Sequence, residues 1–197
     1  MSKQLQDWIA QEIEAIKNIP LDGNIEKAVD LIHHQVKKAG GKVVVSGVGK
    51  AGNIGMKIAS TFSSAGIPSV FLPALEAQHG ELGLLQPNDI LFLISNSGLT
   101  SEIVDLHHLA KALYEDIPTI LLTGQPASAL GQESEVCIAT GPTKEICPLG
   151  LTPTTSTTVM SVIGDLLVAS LIQKQNYSRS EYGKRHHSGY LGKKARD

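Results

Sequence analysis

The segment LFLISNSGLTSEI places several hydroxyl side chains directly after an apolar run. They are Ser95, Ser97, Thr100 and Ser101, and Glu102 follows them. Hydroxyls and free amides at the start of a helix can hold a phosphate or another anion. Helix capping is the alternative, and it accounts for one hydroxyl, at Thr100 or Ser101. For Glu102, complementing the helix dipole is a sufficient reason by itself.

A glycine-containing stretch, SGVGKAGNIG, follows the first apolar strand-like run. Its spacing, Gly47-x-Gly49-x-x-Gly52, matches a dinucleotide fingerprint, but the next strand does not end in the acid that would hold a ribose. Lys50 falls at the start of a predicted helix, where a cation opposes the macrodipole. An anionic ligand would remove that conflict, and a solvated surface lysine is the alternative.

Three later segments carry further candidates for acid–base chemistry. The stretch LEAQHGELG holds His79 between two glutamates, without the spacing of a metal site, so a structural histidine stays open. Lys144 and Glu145 lie in a long loop rich in Pro and Gly, and long loops in compact domains are often functional. His186 and His187 lie in a polar tail.

Apolar runs and helical spacing predict how these residues are positioned. Strands are predicted at 42–46, 69–72, 89–94, 118–123 and 135–140. Helices are predicted at 1–16, about 23–39, 50–64, 101–114 and 155–172. Short apolar strands alternating with helices indicate an α/β fold, a doubly wound five-stranded parallel sheet with helices on both faces. Ligands of such sheets bind beyond the carboxyl ends of the strands, where these loops lie.

Composition limits the class of protein. A chain of 197 residues is long enough for one domain, and its net charge of −2 gives no basic footprint for nucleic acid. Cys137 and Cys147 are too few for a disulfide framework and lack metal-ligand spacing, so we expect buried or partly buried thiols in a reducing compartment, and a cytoplasmic protein. The apolar segment 155–172 is nearly long enough for a membrane span, but Asp165 lies near its middle. A buried or subunit-interface helix is therefore expected there.

Five segments, in this order, resemble the sugar isomerase (SIS) domain of arabinose-5-phosphate isomerases. They are SGVGKAGNIG, ALEAQHGELG, ISNSGLTSEI, KEICPLGLTPTTSTT and HHSGYLGKK. The resemblance covers the chain from about residue 25 to the end. It implies a flavodoxin-like strand order, a homotetramer, and interconversion of D-ribulose 5-phosphate and D-arabinose 5-phosphate without a metal or cofactor. That reaction feeds the synthesis of 3-deoxy-D-manno-octulosonate, a lipopolysaccharide sugar.

The resemblance also assigns roles to residues. The phosphate-binding set comprises Ser95, Ser97 and Thr100, with Ser46, Gly47 and His79 at the same site. The catalytic set comprises Lys50, Glu102, Glu145 and His186. Isomerisation through an enediol needs a base, a group that supports the carbonyl oxygen, and help in opening the sugar ring. Glu102 or Glu145 would be the base, Lys50 would support the enediolate, and His186 would assist ring opening.

Two departures from the family pattern bear on these expectations. Longer members carry a pair of cystathionine-β-synthase-type domains, whereas this chain stops at Asp197, so we expect one SIS domain over 1–197 without that regulation. It would have an N-terminal helix within 1–22 and a tail at 178–197. The tail reads His-His-Ser-Gly where the family usually has His-Pro-Gly-Gly. Its apolar content is too low to fold on its own domain, so we expect His186 to complete the site of an adjacent protomer.

Other functions remain open at this point. A different SIS isomerase, acting on a hexulose or heptulose phosphate, would bind its phosphate with the same hydroxyl groups. A sugar-phosphate sensor without turnover is the alternative from another class, although about 22 residues before the matched region leave little room for a helix-turn-helix. A downstream sugar nucleotide could also bind in the active site as a feedback inhibitor.

Overall fold

The computed structural model describes residues 1–196 and contains one five-stranded sheet. The strands are β1 (Val43–Gly47), β2 (Ser69–Phe71), β3 (Ile90–Ile94), β4 (Thr119–Thr123) and β5 (Val136–Ala139). All neighbouring strands are parallel, in the order β2-β1-β3-β4-β5. The predicted α/β fold and flavodoxin-like strand order are confirmed, and each strand lies within two residues of its predicted bounds.

Helices connect and flank the strands. They are α1 (Ser2–Lys17), α2 (Asn24–Lys37), α3 (Gly49–Ser64), α4 (Ala74–Ala77), α5 (Ser101–Leu113), α6 (Ala129–Glu133), α7 (Thr155–Lys174), α8 (Arg179–Arg185) and α9 (Gly189–Arg196). A short 3-10 helix, Glu81–Leu84, follows α4. The sequence patterns predict the five longest helices and miss the short ones.

The sheet separates two apolar cores. Successive side chains of a strand point to opposite faces, so Val43 and Val45 pack on one side while Val44 packs on the other. Helices α1, α2, α3 and α7 cover the first side. Helices α4, α5 and α6 cover the second. This is the doubly wound arrangement that the apolar strand pattern indicates.

Helix α7 is long and apolar enough to span a membrane by length and composition. Nine of its residues are nevertheless buried in the protein, where it packs against α1, α2 and α3. Gly164 lets it approach α3 closely, and Asp165 on its exposed side pairs with Lys57 of α3. The helix has the burial of a core helix, as expected from its charged residue.

The polar tail is helical, in contrast to the expectation from its composition. Ser178 and Glu181 form a capping box that starts α8. Helices α8 and α9 pack closely because Gly192 brings its backbone against the carbonyl of His186. Tyr177, just before α8, packs on Gly66 at the end of α3. Local capping and close glycine contacts therefore order a segment that has few apolar side chains.

Candidate active site

A cavity of about 790 Å³ opens at the carboxyl ends of β1 and β3. These two strands are neighbours in the sheet, yet the helices that follow them, α3 and α5, pack on opposite faces. The gap between diverging loops at such a switch point is where open α/β sheets bind ligands. Loops from β1, β3 and the segment before α7 form the walls.

The β3–α5 loop contributes a cluster of hydroxyls to this cavity. Ser95, Ser97 and Thr100 all line it. Thr100 is the N-cap residue of α5, but its hydroxyl makes no capping bond and instead pairs with Ser95 Oγ at 3.0 Å. Gly98, with φ of +65°, makes the bend that brings the hydroxyls together. Capping therefore does not account for Thr100, and an anion at the start of α5 remains the better use of these groups.

Two lysines bring positive charge to the same cavity. Lys50 is the second residue of α3 and is exposed, and Lys144 lies on the opposite loop. An ammonium at a helix N-terminus is locally unfavourable unless an anion binds nearby. Together with the hydroxyl cluster, these side chains suit a phosphorylated ligand.

Glu145 also lines the cavity, and its carboxylate caps helix α7. Its Oε2 accepts from the amide and hydroxyl of Thr154, at 2.6 and 2.8 Å, and its Oε1 accepts from Ser156 Oγ at 2.5 Å. Partial burial raises the pKa of the Glu145 carboxyl, but the hydrogen bonds from Ser156 and Thr154 outweigh it, so the net shift is downward. The carboxylate is thus held ionised and fixed in direction.

Other residues assigned by resemblance do not line this cavity. Ser46 is fully buried and donates its hydroxyl to the carbonyl of Leu72 at 2.7 Å, and Gly47 packs against the backbone of α3. Glu102 does not line the cavity, although Thr100, two residues before it, does. Its own amide and the Ser101 hydroxyl lower the pKa of its carboxyl. Local bonds therefore already engage the side chains of Ser46 and Glu102.

The two candidate histidines lie elsewhere. His79 is exposed, between α4 and the 3-10 helix. His186 follows α8, with its ring stacked on Tyr182 at 3.7 Å between centroids and its Nδ1 bonded to the Tyr182 carbonyl oxygen at 2.9 Å. Neither residue is part of the cavity wall that this chain builds. Within residues 1–196, no three His, Cys, Asp or Glu side chains are grouped so as to hold a metal ion.

Sequence reasoning missed Cys147 as a cavity residue. The Thr152 hydroxyl and the amides of Thr152, Leu151 and Leu149 favour the thiolate and lower the pKa of Cys147 to about 7. Cys137, on β5, is also half-buried, but burial raises the pKa of its thiol. The only signal in the sequence was position, since Cys147 follows Lys144 and Glu145 in the same loop.

The fold and the cavity define a class, the doubly wound α/β proteins with a cavity at the switch point between β1 and β3. The SIS domain family matches residues 35–170, which includes the whole sheet and most of α7. The chain belongs to the SIS domain family.

Relatives of known structure or activity agree with this assignment. A Bacteroides fragilis protein assigned as a phosphosugar isomerase involved in capsule formation is 54% identical, with a TM-score of 0.95 over 96% of this chain and 99% of that one. The Escherichia coli CFT073 protein c3406, solved in complex with arabinose 5-phosphate, is 33% identical, with a TM-score of 0.82 over 92% and 95% of the two chains. The arabinose 5-phosphate isomerase KdsD of Francisella tularensis is 41% identical over 184 residues. The match covers 93% of this chain and 55% of KdsD, so the chain spans about half the length of this curated relative.

Proposed function

We propose that this protein is an aldose–ketose isomerase that interconverts D-ribulose 5-phosphate and D-arabinose 5-phosphate. The observation that carries the proposal is the single cavity in which the hydroxyl cluster, Lys50 and Glu145 meet at the switch point. A phosphate group, a developing negative charge and a mobile proton are the three things an isomerase of sugar phosphates must handle.

The relatives support the choice of substrate. The Escherichia coli protein solved with arabinose 5-phosphate matches this chain over nearly the full length of both. The KdsD relative carries the name of the same activity, although this chain matches about half of it. The residues of this chain that match KdsD include the loops that form the cavity, which supports the same activity here.

In the proposed mechanism, Ser95, Ser97 and Thr100 bind the phosphate. Glu145 takes the proton from C2 of the open-chain aldose, and the C1 carbonyl oxygen becomes the oxygen of an enediolate. Lys50 stabilises that oxygen by its positive charge. Glu145 then returns that proton to C1, and the C2 hydroxyl proton passes to the C1 oxygen, which gives the ketose. Glu102 is kept as the alternative base.

The carboxylate of Glu145 is prepared for this role by its surroundings. Hydrogen bonds from Thr154 and Ser156 keep it ionised, so it is available as a base across the neutral pH range. Those bonds also lower its basicity, which a substrate can offset by displacing one of them on binding. The chemistry itself needs only proton transfer, without a metal or cofactor.

We propose that a second protomer completes the site with His186, which would assist ring opening, in a homotetramer. Support comes from exposed apolar residues on one stripe of α1: Leu5, Ile9 and Ile13 are 48%, 60% and 47% exposed and four residues apart. A contiguous apolar stripe of this kind is typical of a surface that another chain covers. Leu149 and Leu151, at the mouth of the cavity, are also exposed.

The proposal extends to the setting of the reaction. We place the protein in the cytoplasm as one SIS domain over 1–197, supplying arabinose 5-phosphate for 3-deoxy-D-manno-octulosonate and lipopolysaccharide. A sugar nucleotide made later in that sequence would compete for the same cavity as a feedback inhibitor.

A substrate panel tests the proposed function. The purified protein is incubated with D-arabinose 5-phosphate and with aldose partners of hexulose and heptulose phosphates, and ketose formation is measured. We expect turnover of arabinose 5-phosphate at least about tenfold above the others in kcat/KM. Preferred turnover of a longer sugar would identify a different SIS isomerase, and binding without turnover of any of them would indicate a sensor.

A further inference from the structure

Helix α1 and the residue after it make three contacts with the loop that carries the proposed base and with the first residue of α7. The loop, residues 141–154, is called the site loop here. Gln11 Nε2 donates to the carbonyl oxygen of Lys144 at 2.6 Å, and Glu12 Oε1 accepts from Thr155 Oγ1 at 2.7 Å. Gly141 lies so close to the chain after α1 that a Cβ there would stand 2.5 Å from the Asn18 carbonyl oxygen. The site loop therefore rests on α1, which precedes the segment matched to the SIS family.

Thr155 transmits the contact from α1 into the site loop. Its side chain is fully buried, and its hydroxyl gives its one proton to Glu12 while accepting from the amide of Ile146 at 3.2 Å. An acceptor at Glu12 thus fixes the orientation of the Thr155 hydroxyl. That orientation leaves a lone pair for Ile146, the residue that follows Glu145.

The other oxygen of Glu12 indicates that a glutamate at this position does not give the most stable folded state. Its Oε2 is buried and has no hydrogen-bond partner within the described residues. A buried acceptor without a partner destabilises the folded state, so its presence in a native protein calls for an explanation. Burying an aliphatic side chain at this position would avoid that penalty.

We propose that Glu12 is a positioning residue for the reaction, acting through Thr155 on the site loop to hold the Glu145 carboxylate in place. The inference rests on the proposed function, because it takes Glu145 as the base. Glu12 itself does not line the cavity. Displacement of a catalytic group by about 1 Å can lower the rate by about a hundredfold, so a small shift of the loop has a large effect on kcat.

Three variants test the connection. Glu12→Leu removes the acceptor, Glu12→Gln keeps an oxygen that can accept from Thr155, and Thr155→Val removes the link itself. Glu14→Gln is the matched control, since Glu14 lies on the same helix and is exposed, bonding only to Asn18 within the described chain. Ile32→Val, in the core of α2, lowers stability without touching the site loop and controls for a general loss of stability.

The expected result is a fall in kcat of about tenfold to a hundredfold for Glu12→Leu and Thr155→Val, with KM within about threefold of wild type. KM should hold because the phosphate-binding hydroxyls lie on the β3–α5 loop, away from α1. Glu12→Gln should restore most of kcat. The double variant Glu12→Leu/Thr155→Val should be no slower than Thr155→Val alone, since both changes break one chain of contacts.

Amide hydrogen exchange of the site loop gives a readout that does not need the enzyme to turn over any substrate. Exchange at 143–154 should speed up in Glu12→Leu and stay at the wild-type rate in Glu14→Gln and Ile32→Val. Unchanged exchange in Glu12→Leu would overturn the connection even if the proposed activity is right. Faster exchange with unchanged kcat would overturn the positioning role. If wild type acts on another sugar phosphate, the kinetic comparison is made with that substrate, so a wrong substrate and a wrong role for Glu12 give different results.

Discussion

The hydroxyls of the β3–α5 loop differ in how they are engaged within the protein. Ser97 Oγ accepts from the amide of Leu99 at 3.1 Å, which leaves its own proton free to donate to a ligand. Ser95 and Thr100 share one hydrogen bond, so between them one proton also remains for a ligand. Two hydroxyl protons of this loop are therefore available to a ligand.

Removal of these donors should mainly weaken substrate binding. Each of Ser97→Ala and Thr100→Ala should lower kcat/KM by about tenfold to a hundredfold, because a hydrogen bond to a charged group is worth about 1.5–3 kcal/mol. Steady-state kinetics with arabinose 5-phosphate and competition by inorganic phosphate measure the effect. Ser134→Ala is the control, because the Ser134 hydroxyl donates to the Leu130 carbonyl oxygen at the end of α6 and does not line the cavity. Kinetics like those of wild type in the double variant would contradict the phosphate assignment.

The two cysteines should differ sharply in reactivity as pH changes. The thiolate is the reactive form, and the Cys147 pKa of about 7 means that its alkylation rate should rise through pH 7 and level off above about pH 8. Cys137, whose pKa is raised by burial, should react more slowly across the same range. Mass spectrometry of iodoacetamide-treated peptides between about pH 5.5 and 9 measures both. Saturating arabinose 5-phosphate should protect Cys147, and equal rates at both thiols would contradict the hydrogen-bonded thiolate.

At the scale of elements, the β1–α3 unit shows what the glycines of the GxGxxG spacing do. A Cβ on Gly52 would stand 2.7 Å from the Gly47 carbonyl oxygen. Gly55 lies three residues after this spacing, and a Cβ there would stand 2.9 Å from the Phe71 ring. The glycines let α3 pack closely on β1 and β2. That packing sets the position of Lys50, two residues before Gly52, at the cavity. Close helix–strand packing is therefore a sufficient reason for this spacing, without a dinucleotide.

Gly52→Ala should destabilise the protein and displace Lys50. The new Cβ meets backbone rather than a flexible side chain, so we expect a loss of about 1–3 kcal/mol, which exceeds the gain of up to about 1 kcal/mol in helix propensity. Thermal unfolding and kcat measure the two effects. Gly83→Ala is the control, because nothing lies within 4 Å of its added Cβ. An equal effect of the two changes would show that close packing at Gly52 is not limiting.

The elements that the sequence predicts are those with strong apolar patterns. The five strands are mostly apolar runs, and the five longest helices carry apolar residues at helical spacing. Those residues are buried in α2, α3, α5 and α7 and mostly exposed in α1. Helices α4 and α6 have four and five residues, too short for a periodic pattern. The tail helices α8 and α9 depend on a capping box and on contact between glycines and backbone. The pattern of apolar residues along the sequence does not reveal either feature.

The site could be predicted in part for a similar reason. Parallel strands bring their following loops to one edge of the sheet, so the loops that hold Ser97, Lys50 and Glu145 could be identified from the sequence. The hydrogen bonds that each side chain makes with its neighbours could not be identified from the sequence. The hydroxyl of Ser46 turns to the Leu72 carbonyl, and the carboxylate of Glu102 turns to Ser101. These choices depend on distances that only the folded chain sets.

At the scale of the whole molecule, His186 lies outside the cavity wall of its own chain, and the proposal assigns it to the site of a second protomer. Mixing two inactive variants, His186→Ala and Lys50→Ala, after dissociation and reassembly should restore activity at about a quarter of the sites in a symmetric oligomer. Those sites would take Lys50 from one chain and His186 from another. Native mass spectrometry checks that mixed oligomers form. Mixed oligomers without activity would mean that both residues serve one chain's site or that His186 is not catalytic.

The measurement that tests the central claim most directly is hydrogen exchange at C2 of the substrate. Arabinose 5-phosphate is incubated with the protein in D₂O, and NMR follows both the C2 proton and the ketose. We expect deuterium at C2 together with ribulose 5-phosphate, because an enediol passes its proton through a base in contact with solvent. Both signals should be lost in Glu145→Gln, by about a hundredfold or more, and kept in Glu102→Gln. Binding of arabinose 5-phosphate to the wild-type protein with neither exchange nor ketose would contradict the isomerase proposal.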